Sequence, residues 1–185
     1  MTEETDAQLL QRMAAGEQSA LRLFYDRFHS AVYQFSLRTV NNSADAADVL
    51  NAVMLEAWQR AGTFAGQSQV RTWLFSITRN KSVDLLRRKR PSELLDESTQ
   101  ETADGDFCEY SAALELQQQG AQVRQCMDKL KDSHRQVVYL TFFEELAYPD
   151  IAEVMGIPLG TVKTRMLHAK QQLLQCLRRL LSKDE

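Results

Sequence analysis

Apolar residues recur in this chain at intervals of three and four. Nowhere do they alternate with polar residues over the four to eight positions that a half-buried strand requires. That periodicity directs the chain toward helices packed on helices. Leu21, Phe24, Phe28, Val32, Phe35 and Val40 share one face of a helix expected over 19–40. Val49, Val53 and Ala57, with Trp58 beside them, do the same over 46–61, and Trp73, Ile77 and Val83 over 70–90. A shorter helix is expected from Asp6 to about Met13, with Asp6 as its N-cap, and Ser43 or Asp45 can cap the helix at 46. Gly16, Asn41-Asn42-Ser43, the loop from Gly62 to Gln69 and Pro91 separate these elements. Helices resume near Leu114, run over 134–143 and then twice between Tyr148 and Leu181 around Gly156. With only seven Gly and three Pro in 185 residues, the composition agrees.

The net charge of -3 hides a strong pattern. Between Arg71 and Arg90 there are seven basic residues and one acid, Asp84. From Pro91 to Val123 there are eight acids and no Lys or Arg, and from Ile157 to Lys183 there are six basic residues and no acid. Two basic helical segments around an acidic spacer suit two contacts with a polyanion. The expected organisation is a four-helix unit over 1–90, a flexible acidic linker over 91–113 and a second helical unit over 114–185.

The sharpest local signal lies between Tyr148 and Lys170. A helix-turn-helix needs a short helix, a tight turn and a second helix packed across the first. Ile151, Ala152 and Met155 supply the first apolar face, Gly156 the turn, and Pro158 suits the first turn of the second helix. Val162, Met166, Ala169, Leu173 and Leu177 form the inward stripe of that helix. At about 100° per residue the outward positions are Gly160, Thr164, Leu167, His168 and Gln171, with Lys163 on the flank. Such a face can enter a major groove. Arg165 and Lys170 sit nearer the sides, where phosphates lie.

The acidic start, without a basic n-region or apolar run, is no signal peptide, and no stretch approaches the roughly 20 apolar residues of a membrane span. Cys108, Cys126 and Cys176 are odd in number and scattered, which predicts reduced thiols rather than a disulfide framework, in a cytoplasmic protein. His29, His134 and His168 have no metal-ligand spacing, and there is neither a phosphate-cradling glycine loop nor a nucleophile–base set. No enzyme activity, cofactor or metal is expected. Trp73 and Phe75 read as core residues, although aromatic and basic residues together also suit single-stranded DNA.

Read in order, several short motifs resemble the extracytoplasmic-function sigma factors. They are Tyr25-Asp-Arg-Phe28 with Val32-Tyr33; Asp45-Ala-Ala-Asp48 leading to Ala57-Trp58; Phe64-x-Gly66 with Thr72-Trp-Leu-Phe75 and Arg79-Asn80; Asp84-Leu-Leu-Arg-Arg88; and Gly160-Thr-Val-Lys-Thr-Arg165. The resemblance implies an all-α fold with sigma domains 2 and 4. It implies core RNA polymerase and promoter DNA as partners, duplex at one element and a melted non-template strand at the other. It also implies an anti-sigma factor that clamps the two units together and holds the protein near the membrane without insertion. The helix through Asp45, Asp48, Val49, Asn51, Ala52 and Leu55 would dock core polymerase; Ala47, Asn51 and Ala52 depart from the family pattern and remove charge from that face. The loop with Phe64, Gly66 and Ser68 would capture a flipped base. Arg71, Asn80, Lys81, Asp84, Arg87 and Arg88 would complete the minus-ten surface. Lys163, Thr164, Arg165, His168 and Lys170 would contact the minus-thirty-five element, with His168 where Arg is common. The rival reading is a helix-turn-helix regulator that binds operator DNA without being a polymerase subunit. A receiver domain attached to it would need strands alternating with helices, which the first half lacks.

Overall fold

The computed structural model describes residues 4–89 and 114–181, the second segment with side chains from 121 to 180. The expected linker, 91–113, and Arg90 lie outside the described residues. Eight α-helices and no strands are found among those described: α1 (Asp6–Ala14), α2 (Gln18–Val40), α3 (Ser43–Arg60), α4 (Val70–Lys89), α5 (Leu114–Asp128), α6 (Asp132–Phe142), α7 (Tyr148–Met155) and α8 (Leu159–Leu181). A single 3-10 turn, Ala61–Thr63, leads from α3 into the loop before α4.

Two helix caps lie ahead of where the sequence reading has them. Thr5, not Asp6, caps α1: its hydroxyl accepts from the Gln8 amide at 3.3 Å while Gln8 Oε1 accepts from the Thr5 amide at 2.8 Å. Asn42, not Ser43 or Asp45, caps α3, its Oδ1 accepting from the Asp45 amide at 3.0 Å. Asn41 ends α2 in the left-handed region, φ 54°, and throws Asn42 into the extended conformation an N-cap needs. Asn42→Ala is therefore expected to lower stability by about 1 kcal/mol, read from the denaturation midpoint.

The interior forms two clusters. In the first, Leu9, Leu10 and Met13 of α1 close over Phe24, Phe28 and Val32 of α2, Val53 and Ala57 of α3, and Leu74 and Ile77 of α4. The second gathers Val137 and Leu140 of α6, Ile151, Val154 and Met155 of α7, and Val162, Met166 and Ala169 of α8. Phe35 of α2 and Phe75 of α4 belong to this second cluster although the first half of the chain carries them. Their rings meet edge to face at 5.3 Å, and Phe35 stacks on Tyr139 of α6 at 6.1 Å. The halves are thus joined by an aromatic seam in which α4 packs on α7 and α2 on α6.

That double burial explains why α4 has little amphipathic pattern. Trp73 and Val83 are only half-buried, whereas Leu74, Phe75, Thr78 and Ser82 are buried along with Ile77. Thr78 and Ser82 tolerate burial because each hydroxyl donates to the carbonyl four residues back, at 2.8 Å.

The thiol expectation is overturned for two of the three cysteines. Cys126 of α5 and Cys176 of α8 form a disulfide, with Cα atoms 5.7 Å apart across 50 residues of chain. Two helices packed side by side bring distant positions together, which spacing along the sequence does not register. Among the described residues, no helix is long and apolar enough to cross a membrane, and no group of three or more His, Cys, Asp or Glu side chains could hold a metal ion.

Candidate nucleic-acid interface

Helix α7 ends at Gly156, whose φ of +61° and amide bonds to the Ala152 and Glu153 carbonyls turn the chain within one residue. Any side chain there would be strained by the backbone alone. The Pro158 carbonyl then accepts from Thr161 at 2.9 Å and Val162 at 3.3 Å, so Pro158 stands at the cap of α8 rather than inside its first turn. With Val162, Met166 and Ala169 fully inward, helical geometry leaves Gly160, Lys163, Thr164, Leu167, His168, Lys170 and Gln171 exposed. Leu173 and Leu177 are half-buried. The Thr164 hydroxyl donates to the Gly160 carbonyl at 3.0 Å, which leaves its methyl and lone pairs outward. Lys170 lies over the Phe142 ring at 5.9 Å, and His168 faces His134 with ring centres 6.0 Å apart. Burial holds the His134 imidazole below its ordinary range, and the charge of Arg165 adds to that.

On the first half, Phe64 packs against Trp73 at 5.3 Å and Gly66 takes a φ of +67°, so the 64–69 loop is a shaped surface built on an aromatic base. Ser68 is half-buried, and Asn80, Asp84, Arg87 and Arg88 are exposed along α4. Lys81 is not free: its ammonium lies 2.7 Å from Glu56 of α3, and that contact, with a second from Arg60, holds the Glu56 carboxyl below its ordinary range. Of the residues proposed to dock a partner on α3, Asp48, Asn51 and Leu55 are exposed and Ala52 half-buried. Val49, at 2% exposure, is a core residue with no surface to offer, and Asp45 is held by Lys89 at 2.6 Å.

Arg71 is where the two halves meet chemically. Its guanidinium reaches Glu144, 4% exposed, at 3.2 Å, and Glu144 accepts from the Tyr139 hydroxyl at 2.7 Å. Arg38 of α2 lies 4.3 Å from the centre of the Tyr139 ring. Burial pushes the Glu144 carboxyl up, opposed by the Tyr139 hydrogen bond and the charges of Arg71 and Arg38. Sequence reading places Arg71 on the strand-binding surface and assigns nothing to Arg38, Tyr139 or Glu144. A glutamate just past a helix end carries no pattern that distinguishes it from a solvated one. The charge of Arg165 adds to burial in holding the Arg79 guanidinium below its ordinary range.

Two family models match the chain, Sigma-70 region 2 over residues 24–92 and Sigma-70 region 4 over residues 120–173. The ECF RNA polymerase sigma factor SigW of Bacillus subtilis is 30% identical over 182 residues, covering 92% of this chain and 96% of that protein. The RNA polymerase sigma-H factor of Pseudomonas aeruginosa is 30% identical, with 98% of each chain covered. Two solved structures share the fold. CnrH in complex with the cytosolic domain of CnrY has a TM-score of 0.65 at 24% identity, over 98% of this chain and 100% of that one. The sigma factor RpoE of Bartonella quintana in complex with the anti-sigma factor NepR has a TM-score of 0.68 at 20% identity, over 85% of this chain and 96% of that one. A helix-turn-helix with a basic outward face, an all-helical partner half and matches along nearly the whole length agree with one another: the chain belongs to the extracytoplasmic-function (ECF) RNA polymerase sigma factors.

Proposed function

We propose that this sigma factor delivers core RNA polymerase to a defined promoter set by gripping DNA at two elements, and that it performs no chemistry itself. Residues 1–90 form the unit that docks core polymerase and holds the melted minus-ten strand, 91–113 the linker, and 114–185 the unit that reads the minus-thirty-five duplex. The observation that carries this reading is the outward face of α8, where Lys163, Thr164, His168 and Lys170 are exposed without an acid among them. Polymerase works in the cytoplasm, so the protein acts there. The Asp48, Asn51 and Leu55 strip on α3 is the docking surface for core enzyme. Since the similar Bartonella quintana protein is bound to an anti-sigma factor, an inhibitor of that kind is a partner to seek here.

In the packed arrangement Arg71 is paired with Glu144 and Arg79 lies near Arg165. Two promoter elements more than a helical turn of duplex apart, beyond about 34 Å, cannot both be reached while α4 rests on α7. Promoter binding therefore parts the aromatic seam, and the linker sets how far the halves travel.

Run-off transcription with purified core polymerase and a promoter library tests the reading. Discrete start sites are expected only when the chain is present; a chain that neither binds core enzyme nor gives such starts overturns it. Within that system, Lys163→Ala or Thr164→Ala is expected to shift minus-thirty-five preference by about 1–3 kcal/mol at single base pairs. Arg165→Ala should instead weaken all sequences alike and reduce the salt slope of binding by about 1. Footprints on promoter variants at several salt concentrations separate the two patterns.

A further inference from the structure

We propose that the Cys126–Cys176 pair is a thiol–disulfide exchange site that takes an anionic, low-molecular-weight thiol, and that its redox state sets how firmly α5 is held to the recognition helix. The inference rests on the cytoplasmic reading above in one respect: where thiol buffers keep cysteines reduced, a disulfide is a conditional state and characteristically a sensing one.

Three observations support the assignment. Cys126 is 1% exposed, whereas Cys176 is only half-buried, so an incoming sulfur has one accessible target. A cleft of about 430 Å³ opens beside the bond. Its walls include Lys129, Arg179, Gln172 and Gln175, with no acidic side chain among the described lining residues. Two cationic groups and two amides around a disulfide suit a small thiol that carries carboxylates, and a cleft of this size holds one of tripeptide dimensions. Finally, α5 packs chiefly on α8, and this bond is its covalent tie to that helix.

In the forward step a thiolate attacks Cys176 Sγ. The new S–S bond forms as the Cys126–Cys176 bond breaks, and the electron pair leaves on Cys126 Sγ, which takes up a proton. The product is a mixed disulfide at Cys176. A second thiolate attacks the outer sulfur of that mixed disulfide and expels the Cys176 thiolate. Two protein thiols and one small-molecule disulfide result, and the reverse sequence, with the small disulfide as oxidant, restores the bond. Reduction frees the 50-residue loop that the bond closes and loosens α5 from the C-terminal half of α8.

The test uses the full chain with Cys108→Ser, so that the pair alone reports, in buffers poised with glutathione and its disulfide. Reversible exchange, a transient adduct of one glutathione on Cys176 by peptide mass mapping, and faster amide hydrogen exchange across 121–128 in the reduced form are expected. At equal thiolate concentration, glutathione should react about tenfold faster than the neutral 2-mercaptoethanol, and Lys129→Gln should erase most of that advantage. Lys129 is exposed, so the variant should fold as the parent does. A bond inert to both reagents in the folded protein, equal rates for the two, or unchanged α5 protection on reduction would each overturn the proposal. None of these readouts depends on promoter activity, so they stand or fall apart from the sigma-factor reading.

Discussion

Phe75→Ala is expected to lower the unfolding free energy by about 3–5 kcal/mol, a large share of what a protein of this size has in reserve. Phe75 is 0% exposed and sits where both clusters meet. Its ring closes edge to face on Phe35, which in turn stacks on Tyr139. Alanine leaves a cavity that α2 and α7 cannot both close, because each is also anchored in its own cluster. The seam should fail before either cluster does. Denaturant unfolding followed by fluorescence from Trp58 and Trp73, both in the first half, should then separate from the helical signal by circular dichroism. Phe142→Ala serves as the control: Phe142 is 59% exposed, and its loss should change stability by less than about 0.5 kcal/mol. A Phe75→Ala protein within about 1 kcal/mol of the parent would show that the halves do not rest on one another in solution.

The contrast between Phe75 and its neighbours shows how far the sequence is legible. Helix-period spacing marks α2, α3, α7 and α8 among the described residues, because burial of one face repeats at a fixed interval whatever the partner is. The helix-turn-helix is visible for the same reason, reinforced by Gly156, whose left-handed conformation has few other occupants. Phe75 reads as core, but a one-dimensional pattern cannot say that it enters the core of the other half. For α4, buried on more than one side, the pattern blurs and Val83 is misplaced. Long-range pairings leave no periodic trace at all. Arg71 with Glu144 and Cys126 with Cys176 are each unremarkable residues until two helices bring them together. Legibility thus follows the range of the interaction, so the exposed face of α8 could be read and the contacts that hold that face beside α4 could not.

Glu144 supplies the second large effect, and one with a definite sign. Glu144→Ala removes the acceptor of the Tyr139 hydroxyl, in a side chain 3% exposed, and leaves Arg71 without its buried partner. Stranding a buried hydroxyl costs about 1–3 kcal/mol, and the loss should fall on the seam. Glu144→Gln keeps an acceptor for Tyr139 and stands in for the uncharged carboxyl, so it should match the parent most closely at low pH. The two variants diverge in pH dependence. Because burial raises the Glu144 carboxyl above its ordinary value of 4.5, the folded protein holds that proton more tightly than the unfolded chain does. Its contribution is then fully present below the ordinary carboxylate range and is lost as pH rises through the raised value. Relative to Glu144→Gln, the parent should lose stability as pH rises from the ordinary carboxylate range through the raised value. Glu56 gives the opposite sign: Lys81 holds its carboxyl low, so the parent should gain on Glu56→Gln as pH rises from the lowered value up to the ordinary carboxylate range. Paired denaturation curves on both sides of the ordinary carboxylate range measure both differences. Parallel slopes for the two positions would mean that Glu144 is solvated, and hence that α4 and α7 stand apart in the free protein.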